Sequence, residues 1–264
     1  MYEQIGNIAI IDIKKAEKLN LKRLKNLAKK ILSKHIKTVI LKQKKIKGRF
    51  RKANYKFLAG EKCFETFHKE NGCIFKLNIK DVYFSSRLAS NRLWLAKKIL
   101  DLTKKKKRKK IKILVGFAGV GAYGIVIARE LKLAGIDFEM AMVEINRKAV
   151  EYMKENILLN KLNIKIIQGD VREVFPKLNK FDFIIMPRPQ LAYDFFNECF
   201  INAKKDSIVF YFDFLLEQEI EKRRQELESK AKVLGKKIKI LEIKKAGEIG
   251  VRKWRVVVVF EISN

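Results

Sequence analysis

The chain has 264 residues, 48% of them hydrophobic, which is ample for a buried core and excludes a disordered basic tail. Lys and Arg number 60 against 29 Asp and Glu, a formal net charge of +31 that favours a polyanionic partner, RNA or DNA. Three scattered cysteines, Cys63, Cys73 and Cys199, and two histidines support neither a disulfide framework nor a zinc site; with no signal pattern at Met1 and no apolar run long enough for a bilayer, a cytoplasmic protein without metal or membrane is expected.

Residues 5–80 carry short strand-like runs at 8–13, 38–41 and 74–79. One basic amphipathic helix covers roughly 21–33, with Leu21, Leu24, Leu27, Ile31 and Leu32 at helical spacing. A second helix, about 88–102, leads into residues 104–110, seven consecutive bases that read as a solvated loop, either a passive linker or a phosphate-contacting segment. From Ile111 strands and helices alternate. Strands fall near 111–116, 138–143, 164–168, 181–186 and 207–212, and helices near 122–133, 147–159, 171–178, 190–203 and 215–233. Two long strand-like runs then follow with no helix between them, 237–243 and 254–262, joined by a turn containing Gly247 and Gly250. This grammar predicts an α/β fold: a doubly wound, Rossmann-like sheet of seven strands closed by an antiparallel terminal hairpin, over 81–264, preceded by a small α/β domain over 1–80.

The chemistry concentrates where the first strand of that sheet ends. Residues 111–121 read Ile-Lys-Ile-Leu-Val-Gly-Phe-Ala-Gly-Val-Gly, a strand running into a glycine loop with a helix behind it. Without Lys-Ser/Thr it is no NTPase P-loop. Gly119, Gly121 and Gly124 satisfy the dinucleotide spacing, while Phe117-Ala-Gly119-Val-Gly121 is the form typical of S-adenosylmethionine (SAM) methyltransferases; a tight turn without ligand is the bland alternative. Glu144, 23 residues after Gly121 at the end of the next apolar run, is placed to accept both hydroxyls of a ribose. Asp170, with Val171 after it, is placed to bond an adenine amine, to cap the following helix, or both. Beyond the fourth strand, Pro187-Arg188-Pro189 stands where amino-methyltransferases often carry Asn/Asp-Pro-Pro-aromatic, so the backbone is still fixed but the polar side chain is gone. No cysteine occurs in 171–198, which disfavours the cysteine-adduct route to C5 of a pyrimidine.

Further motifs precede the glycine loop: Gly48-Arg-Phe-Arg51, Leu58-Ala-Gly-Glu61, His68-Lys-Glu-Asn-Gly-Cys73 and Val82-Tyr-Phe-Ser-Ser-Arg-Leu-Ala-Ser-Asn-Arg92. In this order they resemble the archaeal and eukaryotic family that methylates N1 of guanosine at position 37 of tRNA, beside the anticodon. The resemblance spans nearly the whole chain. It implies that Arg51 and Arg87 help to position the tRNA and target base, with Arg87 also at the cofactor's edge. It implies that Tyr83, Phe84, the Phe117–Gly121 loop, Glu144, Asp170 and Val171 surround SAM, and that Pro187 and Pro189 face the target base.

Three departures from the family pattern shape the expected function. The additional domain with which most members grip the tRNA elbow has no counterpart in these residues. Asn91 replaces the carboxylate proposed as general base, and an amide cannot take a proton at neutral pH. The Pro187-Arg-Pro189 loop resembles the archaeal branch that also methylates C7 of 4-demethylwyosine in tRNA-Phe, a ring carbon that needs no prior deprotonation. A monomeric enzyme acting on both bases is therefore expected. The alternatives are the C7 reaction alone, or a tRNA-binding protein with a degenerate SAM fold, suggested by Val115 where the family often has Asp.

Overall fold

The computed structural model describes residues 2–12, 19–43, 54–188 and 195–263; Arg51 and Pro189 lie outside the described residues, as does the rest of the Gly48–Arg51 motif. In chain order the first strands are β1 (Glu3–Ile5), β2 (Ile8–Asp12), β3 (Thr38–Lys42), β4 (Tyr55–Gly60), β5 (Glu65–Glu70) and β6 (Cys73–Asn78). The later ones are β7 (Lys110–Val115), β8 (Asp137–Glu144), β9 (Lys165–Gln168), β10 (Phe181–Met186), β11 (Ala203–Leu216), β12 (Ile238–Gly250) and β13 (Lys253–Ile262). The helices are α1 (Leu21–Ile31), α2 (Ala89–Lys105), α3 (Ala122–Leu133) and α4 (Arg147–Leu159). Three more follow: α5 (Val171–Val174), α6 (Glu198–Ile201) and α7 (Ile220–Val233). The chain divides into two compact units: 1–89 with 119–122 and 146–162, and 90–118 with 123–145 and 163–264.

In the first unit β1–β4 form one sheet in chain order, with β2 and β3 parallel and α1 as their crossover. Gly6, in the β1–β2 turn, has φ +56°, and a Cβ there would fall 2.0 Å from Thr66 Oγ1, so only glycine fits. Asn20 caps α1 by accepting from the Arg23 amide at 2.9 Å. Leu24 and Ala28 are buried with Leu27, Ile31 and Leu32 alongside, but Leu21, expected in the stripe, is 47% exposed because it opens the helix before that face meets the sheet. The hairpin β5–β6 turns through Asn71-Gly72, both at positive φ, the conformation such a two-residue turn requires. Along the other edge of β6, the side-chain amides of Asn156, on α4, and Asn160, at its C-terminal cap, bond both backbone groups of Lys76 and Ile74 respectively at 2.6–3.1 Å. Side chains four apart on a helix thus stand in for a neighbouring strand.

The second unit is a seven-stranded mixed sheet in the order β12-β13-β11-β10-β7-β8-β9. Strands β9, β8, β7, β10 and β11 run parallel, while β13 is antiparallel to β11 and β12 to β13. This is the expected doubly wound sheet with its terminal hairpin. Phe175, Ile184, Phe196, Tyr211, Val258 and Phe260 pack one of its faces. No helix among the described residues is long and apolar enough to cross a membrane.

Several expectations need correction. Residues 104–110 are not a free solvated loop. Lys104 and Lys105 finish α2, and Lys110 opens β7. Arg108 donates to Asp182 Oδ1 at 2.8 Å, Lys106 bonds Glu261, and Lys110 pairs with Glu139 at 2.8 Å. Lys106 and Arg108 fold down because acids from β13 and β10 meet them, while the other five bases of the run stay exposed. Gly247 and Gly250 do not form the hairpin turn. Both lie in β12, Gly247 (φ +117°) at a register shift against β13, and the turn itself is Val251-Arg252. The expected helix 171–178 is α5 followed by a 3₁₀ turn at Phe175–Lys177, where Pro176 interrupts. Strand β11 extends past 207–212 at its start, where Ala203 pairs with Phe181 of β10, and at its end, where β13 pairs with it as far as Leu216, which delays α7 to Ile220.

Candidate functional site

Strand order reverses at β7, with β8 and β9 added on one side and β10 and β11 on the other. Loops leaving the carboxyl ends at such a point diverge and open a crevice, where doubly wound sheets take their ligands. The loop after β7 is built for close backbone approach. Gly116 is closely packed: a Cβ would lie 3.0 Å from Met186 Sδ and 3.1 Å from the Phe175 ring. Gly119 and Gly121 are required by conformation, with φ of +59° and +87°. A Cβ on Gly119 would meet nothing within 4 Å, so the backbone there borders open space. Phe117 also adopts positive φ (+49°), a strained choice for an aromatic residue. Its ring is held edge-on to Phe195 at 4.8 Å between centroids, and the Arg188 guanidinium lies 5.1 Å from its centre. The glycine loop and the loop after β10 are thereby tied together.

The next two strand ends bring the acids side by side. Glu144 ends β8, half-buried, and its carbonyl accepts from the Gly169 amide at 3.0 Å. The residue after Gly169, Asp170, accepts from the Arg172 amide at 2.9 Å and caps α5. Val171 is buried, its Cγ2 3.5 Å from where a Gly116 Cβ would stand. The ends of β8 and β9 thus bring two carboxyl side chains together. That pair of acceptors fits a nucleoside-bearing cofactor such as SAM, whose ribose and adenine offer the hydroxyl and amine donors that acids accept.

After β10, the Arg188 amide donates to the Met186 carbonyl at 2.9 Å, closing a three-residue turn centred on Pro187, whose fixed φ suits that geometry. Asn91, on α2, is only 4% exposed; its Oδ1 accepts from the Tyr123 hydroxyl at 2.7 Å, and its Nδ2 has no hydrogen-bond partner among the described residues. Tyr123 stands edge-on to Phe212, 5.3 Å between centroids. One residue further along β11, Asp213 is buried beside Arg223 (3.2 Å), and burial pushes its carboxyl above the ordinary carboxylate value despite that guanidinium.

In the first unit, Tyr83, Phe84 and Arg87 lie on the segment between β6 and α2. Phe84 packs on His68 (5.2 Å) and Phe75 (5.8 Å). Ser85 Oγ and the Ser86 amide both donate to Glu3 Oε1, at 2.7 and 3.0 Å, and Arg87 Nε lies 3.4 Å from Glu3 Oε2. The nearby Tyr55 hydroxyl is pushed up to about 12, chiefly by burial and then by the charge of Glu3 and by Tyr83. The sequence reading missed Glu3. A lone acid three residues into the chain carries no motif, and its partners are more than eighty positions away.

Comparison with known proteins covers both units. The model of the TRM5/TYW2 methyltransferase domain matches residues 66–241, and that of the TYW2 N-terminal domain matches residues 1–63. A relative from Nanoarchaeum equitans, named tRNA (guanine(37)-N(1))/4-demethylwyosine(37)-methyltransferase Taw22, is 32% identical, covering 97% of this chain and 97% of its own. Among solved structures, the complex of aTrm5 with tRNALeu has a TM-score of 0.83 at 28% identity, covering 100% of this chain and 72% of that one. Methanocaldococcus jannaschii Trm5 in complex with adenosine has a TM-score of 0.80 at 26% identity, covering 100% of this chain and 74% of that one.

Proposed function

The chain belongs to the TRM5/TYW2 methyltransferase family, and from that premise we propose that it methylates the purine at position 37 of tRNA, at N1 of guanosine and, in tRNA-Phe, at C7 of 4-demethylwyosine. The observation that carries this reading is the end-to-end match to a relative named for both reactions, on a chain whose Asn91 and Pro187 both depart from the pattern for guanosine alone. SAM, when bound, supplies an electrophilic methyl group. In this reading Glu144 holds the ribose, Asp170 the adenine amine, and Phe117, Gly119 and Gly121 shape the backbone around the nucleoside; Tyr83 and Phe84 complete the cofactor's surroundings. Arg51 and Arg87, with the small domain over 1–80, position the tRNA, and the Pro187–Pro189 loop faces the target base.

Direct transfer suits these residues better than a covalent route. Cys199 is fully buried, and burial pushes its thiol far above the ordinary range, so it is not a nucleophile. Attack by the target atom needs in-line alignment, and for guanosine N1 a proton must also leave. Asn91 cannot take that proton, whereas C7 attacks without prior deprotonation. We read the enzyme as a cytoplasmic monomer, a state that sizing by light scattering checks. The test of function is incubation with SAM and two tRNA-Phe preparations, one with guanosine and one with 4-demethylwyosine at position 37, followed by mass spectrometry of that nucleoside. A methyl gained on both bases is expected. Methylation of the wyosine precursor alone would leave a C7 enzyme, no product with bound tRNA would leave a binding protein, and a heavier adduct would mean that another group of SAM is transferred.

A further inference from the structure

We infer that Glu3 is a positioning residue for tRNA recognition, acting through the Ser85–Arg87 segment; the inference rests on the proposed role of Arg87. One carboxylate gathers that whole segment. Glu3 Oε1 accepts from Ser85 Oγ (2.7 Å), the Ser86 amide (3.0 Å) and Ser86 Oγ (3.3 Å), while Oε2 faces Arg87 Nε at 3.4 Å. The environment sharpens the effect: the Glu3 side chain is 17% exposed, whereas that of Arg87 is 63% exposed. The inner end of the pair is thus fixed on a β-strand and the outer end is presented to solvent. A carboxylate beside Nε occupies one edge of a guanidinium and leaves the end-on edge, between the two terminal nitrogens, to match a phosphate or the edge of a base.

The same hairpin holds the preceding residue. The Gly6 amide, in the β1–β2 turn, donates to His68 Nδ1 at 3.1 Å, and the His68 ring packs edge-on against Phe84. The segment is therefore held at Phe84 by His68, which the β1–β2 turn bonds, and from Ser85 to Arg87 by hydrogen bonds and an ion pair to Glu3. The Glu3 contacts differ from ordinary packing in one respect: they set the direction of an exposed cation rather than filling core volume. Their loss is felt in how the tRNA is held and less in whether the unit folds.

The test compares Glu3→Ala, Glu3→Gln, Arg87→Ala and the Glu3→Ala/Arg87→Ala double variant by single-turnover kinetics on tRNA, with melting temperature and SAM affinity measured alongside. Hydrogen bonds to a charged group set the scale, so Glu3→Ala should lower kcat/KM for tRNA by about ten- to a hundredfold. Glu3→Gln, which keeps one acceptor oxygen, should recover part of it with an unchanged melting temperature. The double variant should be no worse than the worse single variant, because both remove one coupled unit. Arg87→Ala defective with both Glu3 variants within about twofold of wild type would overturn the inference and leave the Arg87 reading standing. Additive losses would overturn it too, since Glu3 would then act elsewhere. A fully active Arg87→Ala would sink the Arg87 reading itself, and this inference with it. Glu3→Gln guards the test if Glu3→Ala does not fold.

Discussion

Asn91→Glu restores a carboxyl group at the position where the structure holds a buried amide, and its consequences can be worked through from the surroundings. Asn91 is 4% exposed and spends its oxygen on the Tyr123 hydroxyl at 2.7 Å, while its amide nitrogen goes unmatched among the described residues. An unmatched buried donor costs about 1–3 kcal/mol, which the substitution removes; the extra methylene in a packed site costs about the same in strain. Little net change in stability is therefore expected while the new carboxyl is protonated. Burial raises its pKa above the ordinary carboxylate range, towards the pH at which a general base works best. The folded variant then binds that proton more tightly than the unfolded chain, so its stability relative to wild type falls as pH rises through the raised value. Guanosine N1 must lose a proton and C7 of 4-demethylwyosine need not. General-base catalysis is worth about 10²–10⁴-fold, and the gain should appear on guanosine alone, growing with pH as the carboxyl ionises. Single-turnover rates on the two tRNA-Phe preparations across pH measure it. Equal fold-changes on both substrates would show that position 91 does not discriminate between them and would refute the reasoning.

The remaining expectations concern cofactor, RNA and buried charge. Glu144→Ala should weaken SAM binding by roughly 1.5–3 kcal/mol, about ten- to a hundredfold by calorimetry, and an unchanged dissociation constant would remove Glu144 from the site. Affinity for tRNA should fall steeply with salt, by a log–log slope of several units, and a flat response would assign the +31 charge to compositional bias. Arg108→Ala should leave that slope nearly unchanged and instead lower stability by about 1–3 kcal/mol, because Arg108 is committed to Asp182, which would keep Lys204 and the Lys112 amide but lose the guanidinium. Burial raises the Asp213 carboxyl, so the folded state holds its proton more tightly and the group's contribution falls as pH rises from the ordinary carboxylate value through the raised one. Asp213→Asn should flatten melting temperature against pH over that window, and a parallel curve would discount the shift.

What the sequence made legible is what local pattern governs. Strands β7, β8 and β10 appear within a residue of the apolar runs that predict them, because glycine, proline or charge bounds each run. The glycine loop is legible for the same reason: positive φ at Gly119 and Gly121 admits few other residues. Features decided by distant partners were not legible. Lys106 and Arg108 look like part of a free polyelectrolyte until Glu261 and Asp182 meet them. The hairpin turn at Val251-Arg252 contains no glycine, so the glycines nearby drew attention to the wrong place. Asn156 reads as an ordinary helix residue, Asn160 as the residue just past that helix, and Glu3 as a lone acid ahead of the first strand-like run; only tertiary pairing makes the first two an edge for β6 and the third a hub for residues 85–87.

The central claim is that SAM's methyl group goes to position 37 of tRNA. Transfer of label from methyl-labelled SAM to a tRNA-Phe transcript with guanosine at position 37, against the same transcript with adenosine there, tests it most directly. Label on the guanosine transcript and none on the adenosine transcript is predicted; equal labelling of both, or labelling at another nucleotide, would contradict the account.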